Sequence, residues 1–217
     1  MGHHDAGHPD AGHSHHAHNH ANGHANDHPH GPGDPHGDPH GDPHGHAHSD
    51  PHDGHGAERT AATVITVSDR SSRGEREDAS GPRAAALLAE AGFDATTRIV
   101  PDGAESVRRA LEFALESGAR LVVTTGGTGV GPRDETPEGT RPLLMRELPG
   151  IAEALRREGA REHPTAVLTR GLVGVAGTPP SALVVNLPGS LGAVEEGLAV
   201  VLPLVPHILD QLDGGDH

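Results

Sequence analysis

The stretch Leu121-Val122-Val123-Thr124-Thr125-Gly126-Gly127-Thr128-Gly129-Val130-Gly131-Pro132-Arg133-Asp134-Glu135-Thr136-Pro137-Glu138 decides how the chain folds. It opens on a continuous apolar run, Leu121 to Val123, the pattern of a strand buried on both faces. The run breaks into a glycine-rich turn. Thr136-Pro137 then predicts a helix start, with Thr136 at the N-cap and Pro137 at the first helical position. A buried strand thus runs into a loop of free backbone N–H groups, and the loop runs into a helix. In open α/β sheets that crevice is where anionic ligands sit. A glycine-rich turn by itself is also a plain tight connection. The Arg133-Asp134 pair just downstream favours the ligand reading.

Working back from this stretch, Ala62 to Ser68 reads as a first buried strand ending in Ser68-Asp69-Arg70. Ser71 to Ala79 is a polar loop. Ser80-Gly81-Pro82 predicts a helix start capped by Ser80 and burying Leu87, Leu88 and Ala91. Phe93 to Val100 is a second strand, closed by Pro101-Asp102-Gly103. In the next helix Val107, Ala110, Leu111, Ala114 and Leu115 share one face. Forward of the stretch, Thr140 to Leu148 and Ile151 to Gly159 read as helices split by Pro149-Gly150. Gly171 to Ala176 and Ala182 to Leu187 read as strands. The link between them is too short for a parallel crossover, so it predicts an antiparallel hairpin. Leu187-Pro188-Gly189-Ser190 is a second strand-to-helix turn, with Ser190 capping a helix through Leu202. Leu204 to Leu212 closes the chain. Strands alternating with helices predict an α/β three-layer sandwich around a mostly parallel sheet.

Residues 1–56 differ in kind. They hold 18 of the 21 His and eight Asp, with no Lys, Arg, Val, Ile, Leu or Phe. Such a segment cannot bury a core and is expected to be a disordered tail, leaving 57–217 as one domain. The unit Gly-Asp-Pro-His repeats three times from Gly33 to His44. His36, His40, His44, His46 and His48 are its candidate ligands for Ni²⁺, Zn²⁺ or Cu²⁺, since neutral imidazole binds such ions. A low-complexity tail without a metal role is the alternative.

The net charge is −15, of which the tail's Asp supply −8, leaving −7 for the folded part. That argues against a general nucleic-acid surface. All 16 basic residues are Arg. No lysine is present for a Schiff base or a Walker-type phosphate contact, and no cysteine for a thiolate. With Phe93 and Phe113 the only aromatics, a planar ligand must be held by hydrogen bonds and aliphatic contacts. No apolar leader and no 18-residue apolar run are evident, so the expectation is a soluble cytoplasmic chain without a membrane span.

Three strands, ending at Ser68, Val100 and Thr125, are expected to run the same way. Their carboxyl ends then share one sheet edge. That edge collects Asp69, Asp102, Asp134 and the loop Thr125, Gly126, Gly127, Thr128, Gly129. Carboxylates beside an N–H cradle suggest phosphate held partly by Mg²⁺. Asp102 has a second reading as a helix cap. Arg70 and Arg133 pair either with phosphate or with these acids. His163 reads as a surface or cap residue and His207 as packing.

At these residues the sequence resembles the MogA/MoaB family of molybdenum-cofactor biosynthesis proteins, related to the G domain of gephyrin. The carrying pieces are Val67-Ser68-Asp69-Arg70, Asp78-Ala79-Ser80-Gly81, Ile99-Val100-Pro101-Asp102, Thr124 to Gly129, Arg133 to Glu138, and Asn186-Leu187-Pro188-Gly189-Ser190. The resemblance covers roughly Thr63 to Leu212 and implies a molybdopterin-binding domain. It implies adenylyl transfer from ATP to molybdopterin, with Asp102 and Asp134 as the essential carboxylates and Mg²⁺ ligands. It implies substrate contacts by Ser68, Asp69, Arg70, Ser80, Gly81, the loop from Thr125 to Gly129, and Pro188, Gly189 and Ser190. A homotrimer or hexamer, and a molybdate-insertion partner protein, are further expectations. The His-rich tail is outside the family pattern. The rival is a catalytically silent molybdopterin-binding or metal-storage protein that works through the tail.

Overall fold

A computed structural model describes residues 59–215. The tail and its candidate metal ligands, His36 to His48, lie outside the described residues. Six strands form one sheet in the order β2-β1-β3-β6-β5-β4. They are β1 (Ala61–Val67), β2 (Asp94–Val100), β3 (Leu121–Thr125), β4 (Leu144–Glu147), β5 (Val173–Ala176) and β6 (Ala182–Leu187). The helices are α1 (Asp69–Ser72), α2 (Ser80–Glu90), α3 (Ala104–Glu116), α4 (Thr136–Thr140), α5 (Pro149–Glu162), α6 (Leu191–Val201) and α7 (Val205–Leu212).

β1 pairs in parallel with β2 and β3, and β3 in parallel with β6. β5 alone is reversed, pairing antiparallel with both β6 and β4. The expected hairpin is therefore present between β5 and β6.

Period-two alternation builds two cores from the same strands. Val64, Leu121, Val123, Leu183 and Val185 face a layer of α2, α5, α6 and α7, through Ala84, Leu88, Ala152, Val194, Leu198, Val201 and Val205. Ile65, Val122 and Val184 face α3, through Val107, Ala110, Leu111 and Ala114. Each fully buried Leu or Val contributes about 1.5–3 kcal/mol. Every residue of β3 is buried, as its unbroken apolar run requires.

Five local expectations change. Ala91 is not buried by α2; it is exposed at the helix C-cap. Thr140 to Leu148 is not a helix: a 3₁₀ turn at Arg141–Leu143 leads into the edge strand β4. Pairing with β5 overrides a sequence whose four strand residues are largely exposed. Ser80 does not cap α2; it is the helix's first residue, and Asp78 takes the donors of Ser80 and Gly81, both at 3.1 Å. Thr136 does not cap α4, because its hydroxyl donates back to the Gly126 carbonyl at 2.8 Å. His207 is exposed and contacts Gln211 at 2.9 Å, so it is not core packing.

The apolar character of the C-terminal segment also exceeds the sequence expectation. Leu191–Leu212 is a 22-residue helical stretch, long and apolar enough by composition to cross a membrane, with an 18-residue window of mean hydropathy 1.4. One face of it, Val194, Leu198, Val201 and Val205, is fully buried in the core.

Candidate active site

Two strand ends are clasped by their own carboxylates. The Asp69 N–H donates to Asp102 Oδ2 at 2.8 Å, and the Asp102 N–H donates to Asp69 Oδ1 at 3.1 Å. The Ser68 hydroxyl accepts the Ser71 N–H at 3.1 Å and caps α1. Arg133 reaches both Asp69 oxygens, at 3.2 and 3.1 Å, and the Asp102 carbonyl at 2.9 Å. Of the two readings open for Arg133, the pairing with acids is the one seen. Arg70 is exposed. Asp102 does not cap α3, whose cap position is Gly103. Its second oxygen, Oδ1, faces the glycine loop, 3.5 Å from where a Cβ on Gly127 would stand.

The loop needs its glycines. Gly126 and Gly127 have φ of 100° and 62°, the left-handed region. A Cβ on Gly126 would collide with the Val67 carbonyl, and one on Gly127 with the Thr136 hydroxyl. The Gly126 N–H donates to the Leu187 carbonyl at 2.9 Å, which joins the loop to the Leu187-Pro188 turn.

Beneath the loop lie two polar chains, the first part-buried and the second buried. In one, Thr66 donates to Asp78 Oδ2 at 2.6 Å, and Asp78 Oδ1 accepts the Ser80 hydroxyl at 3.0 Å. Ser80 Oγ lies 3.0 Å from Thr125 Oγ1. In the other, Asn186 donates to Thr124 and Thr140 at 3.0 and 3.1 Å and accepts the Leu172 N–H at 3.1 Å. Thr140 in turn donates to the Thr136 carbonyl at 2.8 Å. No buried side-chain polar atom is left without a partner among the described residues. Ser80, Gly81 and Thr125 are thus buried supports under the loop. The sequence offered Ser80, Gly81 and Thr125 as substrate contacts.

The far side of the loop is held by Arg170. Its backbone N–H donates to the Thr128 carbonyl at 2.8 Å and its Nε to the Gly129 carbonyl at 2.7 Å. Its guanidinium also bonds the Asp134 carbonyl and the Glu138 carboxylate. That hydrogen bond holds the Glu138 carboxyl below the usual carboxylate range and raises Arg170 further. Asp134 Oδ2 accepts the Gly131 N–H at 2.9 Å, so its carboxylate is folded against the loop.

Gly127 lines one recess, and a second opens at Asp102. One is a cavity of about 500 Å³ between α5 and α6, lined by Gly127, Thr128, Gly129, Asp134, Pro188, Gly189 and Ser190 among others. Its helical walls are largely aliphatic: Ala152, Leu155 and Gly159 from α5, Ala193 and Gly197 from α6. The other, about 540 Å³, is open and carries the charged side chains Asp102, Glu105, Arg109 and Glu135 on its lining. Among the described residues no three His, Cys, Asp or Glu cluster as metal ligands. The donor set therefore fits Mg²⁺ only as an ion shared between one or two carboxylates and substrate phosphates.

The sequence reading gave no role to Asp78, Arg170, Glu138, Asn186 or the wall residues Arg156 and Glu196. Asp78, Glu138 and Asn186 stood within quoted motifs. Arg170, Arg156 and Glu196 stood outside them, and Arg170 acts through contacts more than 30 residues away in sequence.

Fold and site together define a doubly wound α/β domain that presents a glycine loop, carboxylates and two recesses at the carboxyl edge of its sheet. The family model described as the probable molybdopterin binding domain matches residues 63–207, and the chain belongs to that family. A molybdopterin adenylyltransferase of Pyrococcus furiosus is 45% identical over 148 residues, 67% of this chain and 87% of that protein. A molybdenum cofactor biosynthesis bifunctional protein of Synechococcus elongatus is 43% identical over 157 residues, 72% of this chain. The chain spans only about half that protein's length, 48%. The solved structure of the molybdopterin biosynthesis Mog protein from Mycobacterium ulcerans matches with a TM-score of 0.67 and 42% identity, covering 73% of this chain and 99% of that one.

Proposed function

We propose that the chain is a molybdopterin adenylyltransferase that uses ATP and Mg²⁺. The observation that carries the reading is a glycine loop lining one recess together with Asp134, with Asp102, whose Oδ1 faces Gly127, lining a second. A two-substrate transfer needs this layout. Relatives at 36–45% identity that bear the adenylyltransferase name support it.

In this reading a terminal phosphate oxygen of molybdopterin bonds to the α-phosphorus of ATP. The bond from that phosphorus to its bridging oxygen breaks, and pyrophosphate leaves. No general base is required, since the attacking phosphate is already ionised at neutral pH. Catalysis rests on alignment and charge neutralisation. The loop N–H groups hold phosphate oxygens. The Asp69–Asp102 clasp fixes Asp102, leaving Oδ1 for the substrate side. Arg133 is placed to exchange its carboxylate partner for phosphate. Asp102 and Asp134 would hold Mg²⁺, which when bound supplies charge neutralisation on the phosphates.

The reading carries with it a cytoplasmic protein, a homotrimer or hexamer, and handover to a molybdate-insertion protein. The His-rich tail is an accessory metal segment. Incubation with ATP, Mg²⁺ and molybdopterin tests the reading by pyrophosphate release; none from folded protein overturns it.

A further inference from the structure

We propose that Glu196 is the residue that reads the pterin ring, by accepting two parallel hydrogen bonds from its 2-amino and N3–H edge. This rests on the adenylyltransferase reading and deepens it. The cavity beside the glycine loop is walled by one stripe from each of two helices. From α5 come Ala152, Leu155, Arg156 and Gly159; from α6 come Ala193, Glu196 and Gly197. Glu196 is the sole acid on these two stripes, and it makes no hydrogen bond or ion pair among the described residues. The polar groups beneath the loop, by contrast, are partnered, as Asp78 and Asn186 are, and Arg170 is bonded at its far side. Arg156, the arginine on the facing stripe, is turned to the Thr169 and Gly171 carbonyls at 3.5 and 3.4 Å. Glu196 Oε2 lies 3.9 Å from where a Cβ on Gly159 would stand, so the carboxylate projects towards α5 across a position without a side chain.

An unpartnered carboxylate against aliphatic walls is costly unless a ligand supplies donors. Neither aromatic residue lines the cavity: Phe93 is in the core and Phe113 lies under Arg98. A flat ring is therefore held by its edge. Two carboxylate oxygens match two adjacent N–H donors, as in carboxylate–guanidinium pairs. The pyrimidinone edge of a pterin offers that pair. The adenine edge offers one donor and one acceptor, so it mismatches. The pterin thus belongs in this cavity and the nucleotide in the recess of Asp102.

The test uses the full chain and two fluorescent probes with the same C6 substituent. One is a pterin, and the other is the lumazine in which oxygen replaces the 2-amino group. Wild type is expected to bind the pterin about 10²-fold tighter, the scale of losing a buried hydrogen-bonded partner. Glu196→Gln presents a donor as well as an acceptor, and should bring the two affinities within about threefold of each other. Glu196→Ala should remove the preference as well. In turnover, both variants should raise KM for molybdopterin and leave KM for ATP unchanged. Equal binding of the probes by wild type, or a preference that survives in Glu196→Gln, overturns the proposal. So does a rise in KM for ATP alone. If wild type adenylylates molybdopterin yet shows no preference, this inference falls and the functional reading stands. If it neither adenylylates nor binds the pterin, both fall.

Discussion

Asp69 and Asp102 each accept the other's backbone N–H, at 2.8 and 3.1 Å, and so lock the ends of two neighbouring parallel strands. One consequence is that Asp102 cannot swing away from the glycine loop without giving up a bond. Preorganised charge of this kind is what phosphate chemistry exploits.

Asp102→Asn keeps an oxygen for the Asp69 N–H but loses the charge. Turnover should fall about 10²-fold or more, with little change in Tm. Asp134→Asn should behave in the same way. Full activity in either variant, read by pyrophosphate release, removes that residue from the site.

Gly127→Ala attacks the loop directly. The position has φ of 62°, and a Cβ would meet the Thr136 hydroxyl. A loss of about 1–3 kcal/mol is expected from backbone strain, together with loss of molybdopterin binding. Thermal melts and ligand titration read the two effects separately. Unchanged affinity would show the loop to be a mere connection.

Asn186→Leu tests the buried chain beneath the loop. It strands the Leu172 N–H and the Thr124 and Thr140 hydroxyl partners at once. Denaturant melts should show a cost of about 2–4 kcal/mol, since unsatisfied buried groups lose their full solvation. A loss below about 0.5 kcal/mol would mean that the network is dispensable.

The Arg170–Glu138 pair sets a pH dependence. Glu138 is depressed below its ordinary range, first through its hydrogen bond to Arg170. A depressed carboxyl stabilises above its unfolded pKa, and that stability is lost as pH falls through the folded value. The Tm gap between wild type and Arg170→Gln should therefore be full above about pH 5 and narrow below about pH 4. A gap independent of pH would show that Arg170 holds the loop through the carbonyls alone.

Much of this layout was readable from sequence. The apolar run from Leu121, the face of Val107, Ala110, Leu111 and Ala114, and the short link before Ala182 each state a period or a length constraint. They placed β3, α3 and the β5–β6 hairpin correctly. The glycines before Thr128 and the strand-end Asp102 likewise follow from the carboxyl-edge rule. β4 was misread because an exposed edge strand draws its stability from its partner β5, not from its own pattern. Asp78 was passed over for Ser80 because both are good capping residues and only geometry separates them. Glu196 and Arg156 were invisible for another reason. Helical periodicity finds each stripe but cannot tell which two helices will face each other across a cavity.

The His-rich tail yields a prediction from chemistry alone. Free imidazole is largely neutral near pH 7.5 and protonated near pH 5, around its ordinary pKa of about 6.5. The 18 His of residues 1–56 should take up several Ni²⁺, Zn²⁺ or Cu²⁺ ions at the higher pH and release them at the lower. Equal uptake by a chain lacking those residues would move the metal site elsewhere. Removing them should leave the adenylylation rate nearly unchanged.

The most direct measurement follows the phosphorus itself. Wild-type protein is supplied with Mg²⁺, molybdopterin and ATP labelled in turn at the α- and the γ-phosphate, beside Asp102→Asn as a control. The account predicts that α-label enters the pterin product one for one with pyrophosphate released, that γ-label leaves only in pyrophosphate, and that the control nearly stops both. Label from the γ-phosphate in the product, or no transfer by a folded protein that binds both substrates, would contradict it.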